Sequence, residues 1–582
     1  MNGQTIEAPA GTTVLEAARQ AAIDIPTLCD HPALKPIGAC RMCVVEIEGQ
    51  RTLQTACTFP IGEGMVIQTE SPRVVNARKL VLDLIFSERN HFCMYCEASG
   101  HCELQSLGYR YNLKNWAYPT YTKPFPVDSS HQFYLMEHNR CILCWRCLRG
   151  CGELAANHTL GLGKRGARTV INADLESPLG KSSCVSCGTC VQLCPTGALF
   201  DKRSAFMCKD EETESVKSTC SHCSVGCGIE ILTRYGNVVR INGDWDAPVN
   251  RGVLCRYGRF EPLYNDRERL AAPMIRLNGR PAARGWDEAL QEAAARIKSA
   301  GDGGLGVLVS SRATNEALYV ASRLFGGLKA AGMGLLNPAA ANGLGRKASL
   351  GDIAMSDLIL VAGVDPVTTL PVASFLIKRA VDRGTKLVVA GDGDNALGRF
   401  AGTKFSLAEI GKAVELARGA EKPIILYGSG INAQAAEALK SLGGKASFLA
   451  LEDGVNTNYA AALGFKSGPA PRAVKVLYVL AADERELRDS LAGVGEDTFV
   501  IVQASYKSPW GERAHIALPS AIWSEQSGTL TNTEGRVQKM NKAVEPAGEA
   551  RADWEVLALL AGKLGVDVGG VEEIAARAGQ YK

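Results

Sequence analysis

From residue 271 onward, short apolar runs alternate with stretches of helical character. The runs are Gly306-Val-Leu-Val309, Leu358-Ile-Leu-Val361, Lys386-Leu-Val-Val389, Pro423-Ile-Ile-Leu-Tyr427, Val476-Leu-Tyr-Val-Leu480 and Phe499-Val-Ile-Val502. Strand–helix alternation of this kind predicts a doubly wound, mostly parallel sheet. The N-terminal pattern is different. Gly11-Thr-Thr-Val-Leu-Glu-Ala-Ala-Arg19 reads as a turn followed by an amphipathic helix, and Val44-Val-Glu-Ile-Glu48 alternates as a strand running into a turn at Gly49. Further on, Ile229-Glu-Ile-Leu232 and Val238-Val-Arg-Ile241 predict a hairpin. A chain of 582 residues is too long for one core, so several domains are expected.

Composition and charge exclude more than they suggest. The chain is 46% hydrophobic and 21% charged, and its net charge of +3 gives no reason to expect nucleic acid or an anionic membrane as partner. No apolar run approaches the roughly 20 residues that span a bilayer. The opening Met1-Asn-Gly-Gln-Thr-Ile-Glu7 has neither the basic-then-apolar pattern nor the twin arginine of an export signal. The expectation is a cytoplasmic protein, attached to the cytoplasmic face of a membrane only through partners.

The 20 cysteines change the picture, because all of them lie between Cys29 and Cys255. In a reducing compartment such clustering points to metal ligands rather than disulfides. Cys29, Cys40, Cys43 and Cys57 are spaced C-x10-C-x2-C-x13-C. With the helix and strand around them they outline a small [2Fe–2S] ferredoxin domain, although plant-type spacing differs. Zinc is the alternative, but zinc knuckles usually offer two close pairs. Cys93, Cys96 and Cys102 supply three thiolates, flanked by His91 and His101. A [4Fe–4S] cluster needs a fourth ligand, and imidazole can replace thiolate on iron. His91 is the choice, since adjacent His101 and Cys102 would have trouble reaching one metal corner. The alternative is that either imidazole only hydrogen-bonds a cluster sulfur.

Cys141, Cys144, Cys147 and Cys151 follow C-x2-C-x2-C-x3-C, and so do Cys184, Cys187, Cys190 and Cys194, with Pro195 next. In the bacterial two-cluster ferredoxin pattern the fourth Cys of each run ligates the other cluster. One [4Fe–4S] cluster is therefore assigned to Cys141, Cys144, Cys147 and Cys194, and another to Cys151, Cys184, Cys187 and Cys190. A fifth group, Cys220, Cys223, Cys227 and Cys255, is spaced C-x2-C-x3-C-x27-C and suits a further [4Fe–4S] cluster, with zinc again the alternative. His222 reads as a neighbour of that site rather than a ligand, and Cys208 as a structural or free thiol.

Taken in order, these groups resemble the large iron–sulfur subunit of respiratory complex I (the G-type subunit of NADH dehydrogenase) and the N-terminal half of NAD-linked formate dehydrogenases. Pro26-Thr-Leu-Cys29 through Gly38-Ala-Cys-Arg-Met-Cys-Val-Val-Glu46 looks like that family's [2Fe–2S] domain. Asn90-His-Phe-Cys93 through Gly100-His-Cys-Glu-Leu-Gln105 is more similar to the small diaphorase subunit of soluble NAD-linked hydrogenases. Complex I members usually carry their histidine four residues before the first Cys, where this chain has Arg89, and they commonly lack the second cubane set. Asp357-Leu-Ile-Leu-Val-Ala-Gly363 with Asp365-Pro366 and Pro371, and Ser527-Gly-Thr-Leu-Thr-Asn-Thr-Glu-Gly-Arg-Val-Gln538 with Glu545-Pro546 and Asp553-Trp554, look like a molybdopterin oxidoreductase fold. Lys386-Leu-Val-Val-Ala390 would be its next parallel strand.

The resemblance implies five domains: a [2Fe–2S] ferredoxin of β-grasp type (1–75), a His/Cys [4Fe–4S] domain (76–117), a two-[4Fe–4S] ferredoxin (118–207), a [4Fe–4S] domain (208–270) and a truncated α/β domain (271–582). Catalytic relatives ligate molybdenum or tungsten through Cys, selenocysteine or Ser, with a His beside it in formate dehydrogenases. The corresponding stretch, Leu336-Asn-Pro-Ala-Ala-Ala-Asn-Gly-Leu344, has no thiol and no imidazole, and the only histidine beyond His222 is His515. The Mo/W-pterin is therefore expected to be absent and no catalytic residue is assigned. Gly428-Ser-Gly430 could approach a phosphate but serves equally as a strand-to-helix turn. No G-x-G-x-x-G opens a βαβ unit, so no flavin or NAD site is expected in this chain.

The expected function is electron transfer without independent substrate chemistry. By resemblance the partners are a flavin-containing NADH-binding subunit, often with a small thioredoxin-like [2Fe–2S] subunit, and a second redox module. That module would be a hydrogenase, ferredoxin, formate dehydrogenase or quinone arm. The alternatives are a catalytic formate dehydrogenase alpha-type subunit, a complex I peripheral-arm subunit, and a zinc-bound scaffold.

Overall fold

The computed structural model describes residues 1–119, 124–341, 343–468, 474–484, 494–507 and 513–580. Residues 120–123 of the expected ferredoxin domain and Asn342 of the Leu336–Leu344 stretch lie outside the described residues. The chain forms two compact units, Met1–Thr213 and Glu214–Lys582.

In the first unit the predicted helix spans Val14–Gln20 and is started by a capping box. Thr13 Oγ1 accepts from the Glu16 amide (3.2 Å) while the Glu16 carboxylate accepts from the Thr13 amide (3.0 Å), so two otherwise orphaned donors are satisfied. The helix buries Val14, Leu15 and Ala18 on a core that also contains Val45, Ile47, Cys43 and Cys57. Strand Val44–Ile47 is the centre of a three-stranded antiparallel sheet, between Gln54–Thr55 and Ile67–Gln68. Helix Pro72–Glu88 follows, with Ser71 as N-cap. Its fully buried Arg78 donates to Glu70, the Tyr111 hydroxyl and the Val44 carbonyl. After helix Glu103–Arg110 come three short strands, Val127–Asp128, Tyr134–Glu137 and Leu199–Asp201, a hairpin of Leu160–Gly163 with Val170–Ala173, and two short helices, Arg146–Arg149 and Thr189–Leu193. A Cβ on Gly150 would stand 2.4 Å from Leu193 Cδ1, so the two helices approach closely at that glycine.

The second unit opens with an antiparallel sheet. The predicted hairpin is Gly228–Arg234 with Asn237–Gly243, and a third strand, Glu214–Thr219, pairs alongside it. That strand is mostly polar and exposed at its start, which hid it from an apolar-pattern reading. The apolar runs beyond residue 271 are strands, but they form two sheets rather than one. The first has the order Arg280–Ala283, Met274–Leu277, Ile516–Pro519, Phe499–Ala504, Val476–Ala482, Leu305–Val309, Gly332–Leu335. The second is wholly parallel: Arg346–Lys347, Ser447–Ala450, Pro423–Tyr427, Leu358–Ala362, Lys386–Ala390, Thr403–Phe405. The chain leaves the first sheet after Leu335, builds the second, and returns at Val476. Apolar periodicity marks a buried strand but says nothing about its neighbour, so the division was not readable. Leu305–Val309, Leu358–Ala362 and Pro423–Tyr427 are buried along their whole length, as parallel strands covered on both faces require.

Candidate metal centres

The two C-x2-C-x2-C runs fold the same way, and the fold is unusual for their sequences. Leu143 and Trp145 in the first run take φ of 51° and 62°, and Ser186 and Gly188, at the matching places in the second, take 55° and 69°. A left-handed residue in each two-residue gap curls the backbone around a common centre and turns amide hydrogens inward. Leu143 N–H donates to Cys141 Sγ, and Ser186 N–H to Cys184 Sγ, both at 3.4 Å. Only Gly188 adopts this conformation freely. For the others it costs roughly 1–2 kcal/mol each, a strain expected where surrounding structure imposes a site.

The thiols divide between centres across the two runs. Cys141, Cys144, Cys147 and Cys194 line one cavity. Burial pushes Cys141 up to about 11, and burial with the charges of Cys194 and Cys141 pushes Cys144 up as well. Around the second centre, burial and then Cys187 and Cys151 raise Cys184 to about 11, while burial and the charges of Cys187, Cys184 and Cys151 raise Cys190. Cys151 is thus grouped with the second run, and Cys194 with the first. In the N-terminal domain Cys29 and Cys40 exchange N–H···S bonds of 3.4 Å. A hydrogen bond from Cys40 lowers Cys29 to about 6, and one from Cys43 lowers Cys57; the partners Cys40 and Cys43 move upward.

Cys93, Cys96 and Cys102 line a cavity together with His91. His91 Nε2 is buried without a hydrogen-bond partner, the ring is held through a bond to the Ile85 backbone, and burial lowers its pKa to about 4. A neutral imidazole with one nitrogen anchored and the other bare is the usual preparation for metal ligation. His101 lines a different groove and faces Glu97 at 4.0 Å. Arg89 is fully buried and donates to the carbonyls of His138 (2.7 Å) and Thr169, bracing this segment against the ferredoxin.

Cys220, Cys223, Cys227 and Cys255 are buried or nearly so, and each lies within the electrostatic reach of the others. Burial, and then the charge of Cys220, raises Cys255 to about 12. The loop between Cys223 and Cys227 is clamped by the segment around Asn532. Asn532 Nδ2 donates to the Val225 carbonyl (3.1 Å), Gln538 Nε2 to that of Gly226 (2.9 Å), and the Thr533 amide to that of Ser224 (2.8 Å). The Ser527–Gln538 motif therefore positions a cysteine loop, a role its sequence did not disclose. His222 stacks on Tyr257 (4.5 Å). Cys208 is half-buried and in no disulfide.

These donor sets fit iron–sulfur clusters. Most of the thiols in the [4Fe–4S] sets have pKa values raised first by burial and then by neighbouring thiolates, a cost that a bound cation removes. Among the described residues no three His, Cys, Asp or Glu side chains converge on the position of a single ion; the thiols surround cavities instead. The centres of the first unit also adjoin. Thr196 lines both the His91 cavity and the Cys141 cavity, Cys102 feels the charge of Cys194, and Cys147 that of Cys190. Cys40, Cys102 and Ile142 pack on one apolar cluster around Leu28 and Met42, and Arg149, between Cys147 and Cys151, donates to the Cys29 carbonyl.

Comparison with known proteins matches successive stretches of the chain to known families. The 2Fe-2S iron-sulfur cluster binding domain matches residues 1–72, the NADH-ubiquinone oxidoreductase-G iron-sulfur binding region 78–115, and the ferredoxin-like domain of NADH-quinone oxidoreductase subunit 3 133–200. The molybdopterin oxidoreductase Fe4S4 domain matches 213–264 and molybdopterin oxidoreductase 269–563. NADH-quinone oxidoreductase subunit 3 of Thermus thermophilus is 30% identical over 97% of this chain and 82% of its own length. The G-type subunit of NADH-quinone oxidoreductase from Rickettsia conorii is 30% identical over 100% and 90%. The chain belongs to this family of large iron–sulfur subunits of NADH-quinone oxidoreductase.

As a member of that family it is an iron–sulfur electron-transfer subunit acting within an NADH-linked oxidoreductase complex, with [2Fe–2S]- and [4Fe–4S]-binding domains and a molybdopterin oxidoreductase domain of mixed α/β sheets. No helix among the described residues is long and apolar enough to cross a membrane. Another relative is the NADPH-Fe(3+) oxidoreductase subunit alpha of Geobacter sulfurreducens, 28% identical over 97% of this chain and 81% of its own length. A chain from a crystal structure of NAD+-reducing [NiFe]-hydrogenase in the H2-reduced state is 35% identical across 36% of this chain and 88% of its own, with a TM-score of 0.33, too low to speak to domain arrangement.

In the molybdopterin oxidoreductase domain of this large iron–sulfur subunit, Gly428-Ser-Gly430 is a packed turn. The Gly428 amide donates to the Ala362 carbonyl (3.0 Å) and that of Gly430 to the Gly363 carbonyl (3.1 Å), so neither is left for a phosphate. The Leu336–Leu344 stretch is tied to its own domain: Asn337 Oδ1 accepts from Ser311 Oγ (3.0 Å), and the Ala340 amide donates to Glu452 (2.9 Å). His515 Nδ1 accepts from the Val500 amide (3.0 Å) and its ring stacks on Phe499.

Proposed function

We propose that this chain relays electrons between a flavin-containing NADH-binding subunit, with or without a small thioredoxin-like [2Fe–2S] subunit, and a second redox module such as a hydrogenase, ferredoxin or quinone arm. The observation that carries this reading is the contiguity of four thiol-lined centres in the first unit. The ligand sets are Cys29, Cys40, Cys43 and Cys57 for one [2Fe–2S] cluster, and four sets for [4Fe–4S] clusters. These are His91 with Cys93, Cys96 and Cys102; Cys141, Cys144, Cys147 and Cys194; Cys151, Cys184, Cys187 and Cys190; and Cys220, Cys223, Cys227 and Cys255. When bound, the clusters supply reversible one-electron storage, while the chain fixes their ligands, burial and hydrogen bonds, and hence their potentials. Five functional domains with the boundaries given above, and a cytoplasmic location, go with this reading.

No Mo/W-pterin is assigned to the α/β domain. Support comes from the Leu336–Leu344 stretch, without thiol or imidazole, and from the glycine turn whose amides are used within the sheet. The match to molybdopterin oxidoreductase over 269–563 favours a second reading, a catalytic formate dehydrogenase alpha-type subunit. Metal and acid-labile sulfide analysis of the anaerobically purified chain separates the two. One [2Fe–2S] and four [4Fe–4S] clusters require about 18 iron atoms per chain, without molybdenum or tungsten. Stoichiometric molybdenum or tungsten would put the catalytic reading first. Cys194→Ala is expected to remove the cluster held by Cys141, Cys144 and Cys147, seen as loss of that cluster's EPR signal; loss confined to the Cys184–Cys190 cluster would contradict the crossover.

A further inference from the structure

The second ferredoxin centre has a hydroxyl directed at one of its sulfurs. Tyr134 lies on strand Tyr134–Glu137 and is 1% exposed, and its hydroxyl stands 2.9 Å from Cys184 Sγ. Its placement is fixed from the other side by His131, whose ring lies 3.9 Å from that of Tyr134. The Phe133 amide donates to His131 Nδ1 (3.2 Å), which leaves the proton of the neutral ring on Nε2, 3.0 Å from Ser186 Oγ. Ser186 in turn donates its amide hydrogen to Cys184 Sγ. Tyr134 and Ser186 thus both reach a single thiol, with His131 packed on the one and hydrogen-bonded to the other. At the first centre Cys141 takes the Leu143 amide and feels the cation of Arg89, while the hydroxyl nearest a thiol, Thr196 Oγ1, stands 3.8 Å from Cys194 Sγ and donates to the Arg140 carbonyl.

We propose that Tyr134 raises the reduction potential of the cluster held by Cys151, Cys184, Cys187 and Cys190 by donating a hydrogen bond to the Cys184 thiolate. The inference rests on the ligand sets proposed above. A reduced cluster places more negative charge on its sulfurs than an oxidised one, so an O–H donor on a ligand sulfur favours the reduced form. Tyr134 is a positioning residue: it touches the ligand, not the iron, and the His131 ring packed on it holds the donor in line.

The test is an EPR-monitored redox titration of the full chain, parent against Tyr134→Phe, with iron and sulfide measured on both. The expected result is unchanged iron, one cubane signal displaced to lower potential, and the other signals unmoved. Full iron with no displacement, or a displacement upward, overturns the proposal. Should the variant lose its cluster, the parent decides alone. After exchange into heavy water, electron–nuclear double resonance on the reduced second centre should show a strongly coupled deuteron beyond those of the backbone amides, and its absence overturns the proposal. Cys184→Ala identifies which reading has failed. The signal displaced by Tyr134→Phe should disappear in Cys184→Ala; if it survives unaltered, the ligand assignment is wrong.

Discussion

The two units are stabilised by different means. Residues 1–213 carry strands of two to four residues, and cysteines stand inside their apolar clusters: Cys43 and Cys57 in one, Cys40 and Cys102 against another. Residues 214–582 bury whole β-branched strands under long helices, with Val307, Val309, Phe325, Tyr478 and Leu480 in one continuous core. A cluster of three or four short elements buries too little surface to repay the entropy of ordering them. The first unit therefore depends on what its thiols hold, and the second on apolar burial.

Stripping iron under anaerobic conditions is the strongest way to break that contrast. Hydrogen exchange should show loss of protection across 1–213 and in the loops 220–227 and 250–258, with the sheet strands Leu305–Val309 and Leu358–Ala362 still protected. Uniform loss would mean that the α/β domain also leans on a cluster. The converse experiment is Leu480→Ala, which removes a fully buried side chain and should cost about 2–5 kcal/mol in denaturant unfolding of the second unit, with iron content unchanged.

Acidity should separate the units with opposite signs. Burial lowers His131 to about 4, so in the native first unit it stays neutral where the unfolded chain would take up a proton. Its contribution is present above about 6.5 and is lost as pH falls from there toward 4. In the second unit burial raises Glu452 to about 7 and Asp553 to about 6, so the native state retains protons that the unfolded state has released. Their contribution is present below the ordinary carboxylate range and is lost as pH rises toward 7. Glu452→Gln should flatten the fall in stability between about pH 5 and 7, read from chemical denaturation across that range. The smallest effect belongs to the matched left-handed positions. Gly188→Ala should destabilise by about 1 kcal/mol, and Leu143→Gly should change stability by less than that, measured as thermal midpoints of the iron-loaded chain.

Cysteine spacing made the grouping of donors legible, because a short loop between ligands leaves few ways to close around a cluster. It also assigned Cys194 and Cys151 to each other's runs; Cys194 lines the cavity of Cys141, Cys144 and Cys147. The backbone that wraps those centres was not legible: Leu143 and Trp145 take a conformation that their side chains disfavour, and nothing local announces it. The parallel neighbours Leu358–Ala362 and Lys386–Ala390 were readable from the short helical stretch between them, whereas the return to the first sheet at Val476 was not, since that contact spans more than a hundred residues. Asn532 and Thr533 are polar residues of a turn and Gln538 lies on the short strand Val537–Met540; their role exists only once residues 223–227 are folded beside them.

The exchanged cysteines also impose an order on biosynthesis. With the proposed ligands, the centre begun at Cys141 stays one thiolate short until Cys194 has left the ribosome, 47 residues after Cys147. At ordinary translation rates that interval is roughly 2–9 s, during which three ligands await a fourth. The [2Fe–2S] site and the His91 site have all their ligands in hand by Cys102. A nascent chain thus passes through a stage in which two of its sites can already be filled, while the next two are completed within four residues of each other, at Cys190 and Cys194, which makes the ferredoxin pair nearly a single step for whatever machinery delivers iron and sulfide.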